Sequence, residues 1–288
     1  MYNKKLYLSI CILFFIETDA QVIKGFDPDN DLNKLIFNEE YIAKNRIKKI
    51  NGKKSFKKRN DIIRDTENIE FFEFKKSGML ENFGYTSFDQ QDTVCQFYEY
   101  ANQLVINEGI SNRNGESVDA YEYDEKGRPI KKSKIKYYSD LSGQEFKTII
   151  SEERIKYNDI SDSEWKATYF NSYGKAYKSI LKKYDSNGFL LSENENFLIG
   201  NRQIQTIYTY DEKGFLLQIE EKKENRKRTS FKYNAVGELV RIENFKNDEL
   251  INLQEFFYDR NTALLSSSFS KEEATGLIHI VKYDFEFY

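Results

Sequence analysis

The sequence predicts a mostly β protein: an array of antiparallel hairpin repeats forming one long twisted or curled sheet, with a short N-terminal helix after a signal peptide. Three observations carry that reading. The stretch "YTYDEKGFLLQIEE" at 208–221 reads as strand, tight turn and strand, and it returns as "YEYDEKGRPIKK" from 121, "KKYDSNGFLLSEN" from 182 and "FKYNAVGELVRIEN" from 231. Turn positions 188, 214, 237 and 262 are spaced 26, 23 and 25 residues apart, a period that marks a repeat array. The aromatics of each unit stand two residues apart, which puts them on one face of a strand.

The chain opens with "MYNKKLYLSICILFFIETDAQ". Lys4 and Lys5, the apolar run Leu6 to Ile16, and the small residues Thr18 and Ala20 before Gln21 are the layout of a signal peptide cleaved after Ala20. The run is too short to span a bilayer, and Glu17 and Asp19 follow it at once. Ile10 stands before Cys11 where lipoprotein processing needs a small residue. The expected layout is a signal peptide over 1–20, an N-terminal cap of helix and first strands over 21–70, and repeats over 71–288. No membrane span is expected after cleavage, and the destination is secreted, periplasmic or cell-surface.

Within the cap, "DPDNDLNKLIFNEEYIA" at 27–43 predicts a helix, with Asn30 or Asp31 as N-cap and Leu32, Leu35 and Ile36 at helical spacing. Next, "KNRIKKINGKKSFKKR" at 44–59 carries nine basic and no acidic side chains. Asn51-Gly52 predicts an edge hairpin whose lysines discourage edge-to-edge association. The alternative is a surface for an anionic partner, such as a polysaccharide or a lipid headgroup layer.

In the repeat proper, Tyr121, Tyr123, Asp124 and Gly127 recur as Tyr208, Tyr210, Asp211 and Gly214, and more loosely as Phe231, Tyr233, Asn234 and Gly237. Phe72, Phe74 and Gly78 keep the spacing, as do Tyr184, Asp185 and Gly188. An Asp at the first turn position bonds the amide two residues on, and Gly suits a left-handed conformation. The third residue after the turn position is Ile130, Tyr177, Leu191, Leu217, Val240 or Leu265, which reads as an apolar anchor on the outgoing strand. Thr262 replaces the glycine in "YDRNTALL", and since a β-branched residue resists positive φ, Asn261 is expected to take the left-handed role. Degraded copies stand near 97, 136 and 168.

These motifs resemble the tyrosine-aspartate (YD, or Rhs-type) repeat over roughly the last three quarters of the chain. The resemblance implies an exported or surface-associated protein that winds antiparallel strands into a curved sheet or shell. Asn158, Asn171 and Asn234 depart from the motif's Asp, and no toxin-sized tail follows the repeats.

Chemistry is sparse. Cys95 alone remains after cleavage, which leaves no internal disulfide. His279 is the one histidine and sits in an alternating strand pattern, so the pair Cys95 and His279 gives no activated nucleophile, and no catalytic residue is assigned. Zinc-type clusters and phosphate loops do not occur in the sequence. Asp124, Asp185, Asp211 and Asp259 read as turn formers rather than calcium ligands. No metal or cofactor is expected, and a net charge of −3 offers no field for nucleic acid. Trp165, in "DSEWKATYF", is the one ligand-platform candidate. An outer-membrane barrel is disfavoured because "EEKKENRKRTS" (220–230) and "SKIKYYSD" (133–140) supply no apolar band.

The expected function is an exported, non-enzymatic repeat protein acting as a binding or scaffold module at the cell envelope, its partner a polysaccharide or another surface protein. The alternatives are a carbohydrate- or peptidoglycan-processing hydrolase using an unrecognised carboxylate pair, and an accessory or immunity partner of a repeat-containing toxin.

Overall fold

The computed structural model describes residues 22–25, 36–87, 92–113, 115–139 and 145–288. The leader, its cleavage site and the expected caps Asn30 and Asp31 lie outside these. The first elements are short: β1 (Ile23–Gly25) pairs with β2 (Ile36–Phe37), and α1 covers Glu39–Lys44.

An antiparallel meander follows: β3 (Ile47–Lys57), β4 (Ile63–Phe74), β5 (Leu80–Thr86), β6 (Thr93–Ala101), β7 (Leu104–Asn112), β8 (Gly115–Tyr123), β9 (Pro129–Ser139), β10 (Glu145–Ser161) and β11 (Glu164–Phe170). It continues through β12 (Ala176–Tyr184), β13 (Leu190–Phe197), β14 (Gln203–Tyr210), β15 (Leu216–Lys222), β16 (Lys227–Tyr233), β17 (Leu239–Lys246), β18 (Glu249–Tyr258), β19 (Leu265–Glu272) and β20 (Ile278–Phe287). β20 then pairs with β3, from Ile278 against Lys57 to Phe287 against Ile47. The expected curled sheet is therefore a closed 18-strand barrel. Closure removes both sheet edges, so every barrel strand finds a partner on each side.

Closure also overturns the edge-hairpin reading of 44–59. Asn51 and Gly52 lie in one continuous strand, paired with Asp284 and Tyr283 on one side and with Phe71 and Glu70 on the other. A two-residue turn there would break both ladders. Glycine is needed for space: a Cβ on Gly52 would stand 2.7 Å from Val281 Cγ1 and 2.8 Å from Glu70 Cγ.

Direct cross-strand partners share a face, so side-chain direction can be followed around the closed wall. The inward face meets the N-terminal plug. Val22, Ile23 and Ile42 are fully buried there among Phe74, Leu190, Leu216, Phe231, Leu239, Phe256 and Leu265. The helix in the plug begins later than expected: Asn38 is its N-cap, its side chain accepting from the Tyr41 amide at 3.0 Å, and Glu39 and Glu40 occupy the first turn. Ile36 belongs to β2, where the strand pairing with β1 takes precedence over helical spacing.

The motif turns at 75–78, 124–127, 185–188, 211–214, 234–237 and 259–263 sit at the plugged end, and one more, at 171–174 with Asn171 in the aspartate position and Gly174 at φ +72°, sits at the open end. Their chemistry is the expected one. Asp211 Oδ1 accepts from the amides of Lys213 and Phe215 at 2.9 Å each, and Gly214 has φ +86°. Two expectations change. The left-handed residue of the Thr262 turn is Ala263, at φ +55°, not Asn261. The turn runs one residue longer, with the Ala263 amide bonded to the Asp259 carbonyl at 2.8 Å and the Thr262 hydroxyl bonded to Asp259 Oδ1 at 3.0 Å. The apolar anchor is likewise the second residue after the turn position. Leu190, Leu216 and Leu239 are 1%, 5% and 0% exposed, whereas Leu191 and Leu217 are extra residues at strand bulges and reach 42% and 37%.

Candidate functional site

The inward face divides into two halves. At the plugged end the second tyrosine of each repeat reaches back one hairpin and donates its hydroxyl to the anchor carbonyl: Tyr210 to Leu190 at 3.0 Å, Tyr233 to Leu216 at 3.1 Å, Tyr258 to Leu239 at 2.9 Å and Tyr100 to Leu80 at 2.7 Å. Tyr123 to Val105, Tyr157 to Pro129 and Tyr288 to Phe74 continue the pattern. Apart from Tyr288, each of these bonds joins two neighbouring strands, and because those strands belong to successive motif hairpins the girdle ties hairpin to hairpin around the barrel. Burial pushes the Tyr233 phenol up to about 12, with Asp211 adding to the effect.

Toward the other end the inward face turns polar. Lys54 meets Glu70 at 2.9 Å, Lys132 meets Asp119 at 3.1 Å, Lys178 meets Glu195 at 3.2 Å and Lys182 meets Glu193 at 3.6 Å. Burial works against the Lys132 ammonium, yet Tyr121 and Asp119 beside it hold its pKa above the usual lysine value. Farther out, Lys134, Lys136, Lys227, Glu272 and His279 point inward and are exposed, so water enters the lumen from that end. The carboxylate pair a hydrolase would use is not assembled by Glu70, Asp119, Glu193 and Glu195, each of which is bound to a lysine.

The outward face carries ion pairs on β3–β4, β8–β12 and β16–β18. Lys49 pairs with Glu73 at 3.0 Å, Lys131 with Glu122 and Glu152, Lys183 with Glu164, Lys232 with Glu243, and Arg241 with Glu255. A membrane-spanning barrel needs an outward apolar band about 25 Å tall, and these ion pairs interrupt such a band on the strands that carry them.

Trp165 faces inward and is part-buried with Ile155, Ala167, Tyr169 and Ile180, its ring centroid 5.3 Å from that of Tyr157, with the Lys182 ammonium 5.5 Å from its own. Cys95 and His279 are not brought together: they stand on opposite faces of the wall, on β6 and β20. Burial pushes the Cys95 thiol pKa up, the reverse of activation. Asp124, Asp185, Asp211 and Asp259 all accept turn amides. The lumen lysines and carboxylates were missed by motif searching. Their signal was period-two charge: Lys132, Lys134 and Lys136 alternate along β9, and Glu193 and Glu195 along β13.

No family model matches the sequence, and no curated protein matches it. Among solved structures the chain is similar to a porin-like protein from Bacteroides uniformis, at 11% identity and TM-score 0.40, over 83% of this chain and 98% of that one. A porin-like protein from Bacteroides vulgatus gives 9% identity and TM-score 0.36 over the same shares. The TcdB2-TccC3-Cdc42 structure gives 12% identity and TM-score 0.28 over 74% of this chain and 13% of that one. Likeness at these scores carries no argument about function.

Proposed function

We propose that the chain is an exported, non-enzymatic YD-type repeat protein that acts as a binding module at the cell envelope. Its guest is a segment of another surface protein, received in the open half of the barrel. One observation carries this reading: a barrel stoppered at one end exposes inward-facing side chains of both signs at the other. A mixed-charge polypeptide matches such a lining. Of the lumen tyrosines on which a neutral polysaccharide would stack, many are engaged in the girdle and Tyr121 and Tyr169 are covered by Lys132 and Lys178.

Export is expected from the leader, and the charged outer wall suits a barrel that stands in water. The test is a photo-reactive amino acid placed in the native host at Lys136, inside the lumen, and separately at Lys183, outside. A polypeptide adduct at position 136 alone is the expected result. No adduct, or equal adducts at both positions, would refute a lumen guest. Because the lining is spread over many strands, alanine at Lys134, Lys136, Lys227 or Glu272 singly should weaken capture less than about tenfold.

A further inference from the structure

The basic segment at 44–59 holds more cations than the barrel wall uses. Lys49 and Lys54 are ion-paired to carboxylates, but Lys57 and Arg59, at the open end of β3, have no such partner among the described residues, and Lys58 between them acts only at longer range on Asp61, which Arg64 already holds at 3.1 Å. Together with Lys271 they line a hollow between the β3–β4 and β19–β20 loops. The acidic residue in that hollow, Glu273, is already bound by Lys271 at 2.7 Å. Beside it, on the same hairpin, Ile62 is 72% exposed and Ile63 56%.

Two more hairpin tips at the open end repeat the combination. Leu198 and Ile199 stand 48% and 79% exposed next to Arg202, and Tyr173 stands 89% exposed next to Lys175. The topology puts these tips on the far side of the circumference from Ile62: β5 to β10 separate them one way round and β15 to β20 the other. A globular partner seated on one side of the rim would reach one tip. A surface broader than the barrel can meet tips on both sides of the rim. Apolar tips flanked by cations are what an anionic bilayer takes up, with the apolar groups entering the headgroup boundary and the cations meeting phosphates.

From this geometry we infer that the open rim docks on an anionic phospholipid surface, with lipid phosphates in the Lys57, Lys58 and Arg59 hollow. The inference does not depend on a lumen guest. The exported chain should float with vesicles of phosphatidylglycerol and phosphatidylcholine, not with phosphatidylcholine alone, and rising salt should release it. Each cation near such a surface contributes about fivefold, so a Lys57→Gln, Lys58→Gln, Arg59→Gln triple variant should bind about a hundredfold more weakly. Ile199→Ser should weaken binding about tenfold, and Lys183→Gln, on the outer wall beside the plugged end, should leave it unchanged. Lys57 is half-buried and the other substituted side chains are exposed, and an unchanged melting temperature will show that the variants remain folded. Equal binding to neutral vesicles, no binding to anionic ones, or wild-type affinity in the triple variant would each overturn the inference. So would release by inorganic phosphate at an ionic strength where chloride does not release the protein, because the hollow would then take free phosphate rather than a bilayer.

Discussion

The plugged and open ends are built from the same strands, yet they differ in almost every physical respect. At the plugged end most turns repeat one chemistry, the anchors are buried and tyrosine hydroxyls link hairpin to hairpin. The hairpins at the open end differ in length and, among the described residues, show apolar tips and cations to water. The repeat therefore concentrates folding information at one end and leaves the other free to vary. The comparison breaks if substitutions at the two ends prove equally damaging.

The largest effect should come from the plug. Ile42 is fully buried, and Ile42→Ala should destabilise by about 2–5 kcal/mol. Ile110 also faces the lumen but is 41% exposed, in the open half, and Ile110→Ala should cost less than about 1 kcal/mol. Urea unfolding of both variants measures the gap. Similar losses would mean that the open half is packed as tightly as the plug.

A step smaller is the contrast between two turn glycines. Gly188 and Gly214 have φ +87° and +86°, so valine at either is strained by about 1–3 kcal/mol. They differ in surroundings: nothing lies within 4 Å of a Cβ on Gly188, whereas the Phe189 ring would stand 2.6 Å from one on Gly214. Gly214→Val should therefore lose about 1–3 kcal/mol more than Gly188→Val. Equal losses would show that the ring moves aside freely.

The girdle sets a smaller, pH-dependent term. Tyr258→Phe should lose about 1 kcal/mol at neutral pH, the worth of one buried hydrogen bond. Tyr233 has its folded pKa raised to about 12, chiefly by burial, above an unfolded value near about 10. Its contribution is thus complete below pH of about 10 and is lost as pH rises toward 12, because the unfolded chain gives up its proton first. Tyr233→Phe should flatten that alkaline limb in a series of melting curves.

Much of the plugged end was legible in the sequence. The hairpin period, the aspartate-to-amide bonds and the left-handed glycines follow from local chemistry, which a short stretch specifies by itself. What could not be read depends on long-range partners. Closure through β20 and β3 turned Asn51-Gly52 from a turn into strand, and only the positions of Val281 and Glu70 explain its glycine. The bulges moved the buried anchor from Leu191 to Leu190 and from Leu217 to Leu216, since two adjacent leucines do not announce which one faces inward. The lumen charges needed the closed ring before inward had a meaning. Trp165, chosen because it was unique, stands among neighbours that pack it into the wall.

The smallest effect tests the turn that departs from the rule. Ala263 sits at φ +55°, where a residue with a Cβ is strained by about 1–2 kcal/mol. Ala263→Gly relieves that strain but adds freedom to the unfolded chain worth about 0.5–1 kcal/mol, so the net gain should be about 0.5–1 kcal/mol. Asn261 is not at positive φ, and Asn261→Gly should gain nothing. The opposite pattern would restore the shorter loop that the sequence suggests and move the left-handed residue to Asn261. The Asp259 carboxyl adds an acid-side check. Hydrogen bonds from the Thr262 amide and hydroxyl and from the Asn261 amide hold its pKa below the ordinary aspartate value. Its contribution is therefore present above the unfolded pKa and lost as pH falls through the folded one. Asp259→Asn should lose that acid sensitivity without touching binding at the far rim. A variant that impaired vesicle docking while leaving the acid limb intact would instead make the motif aspartate a functional group rather than a turn former.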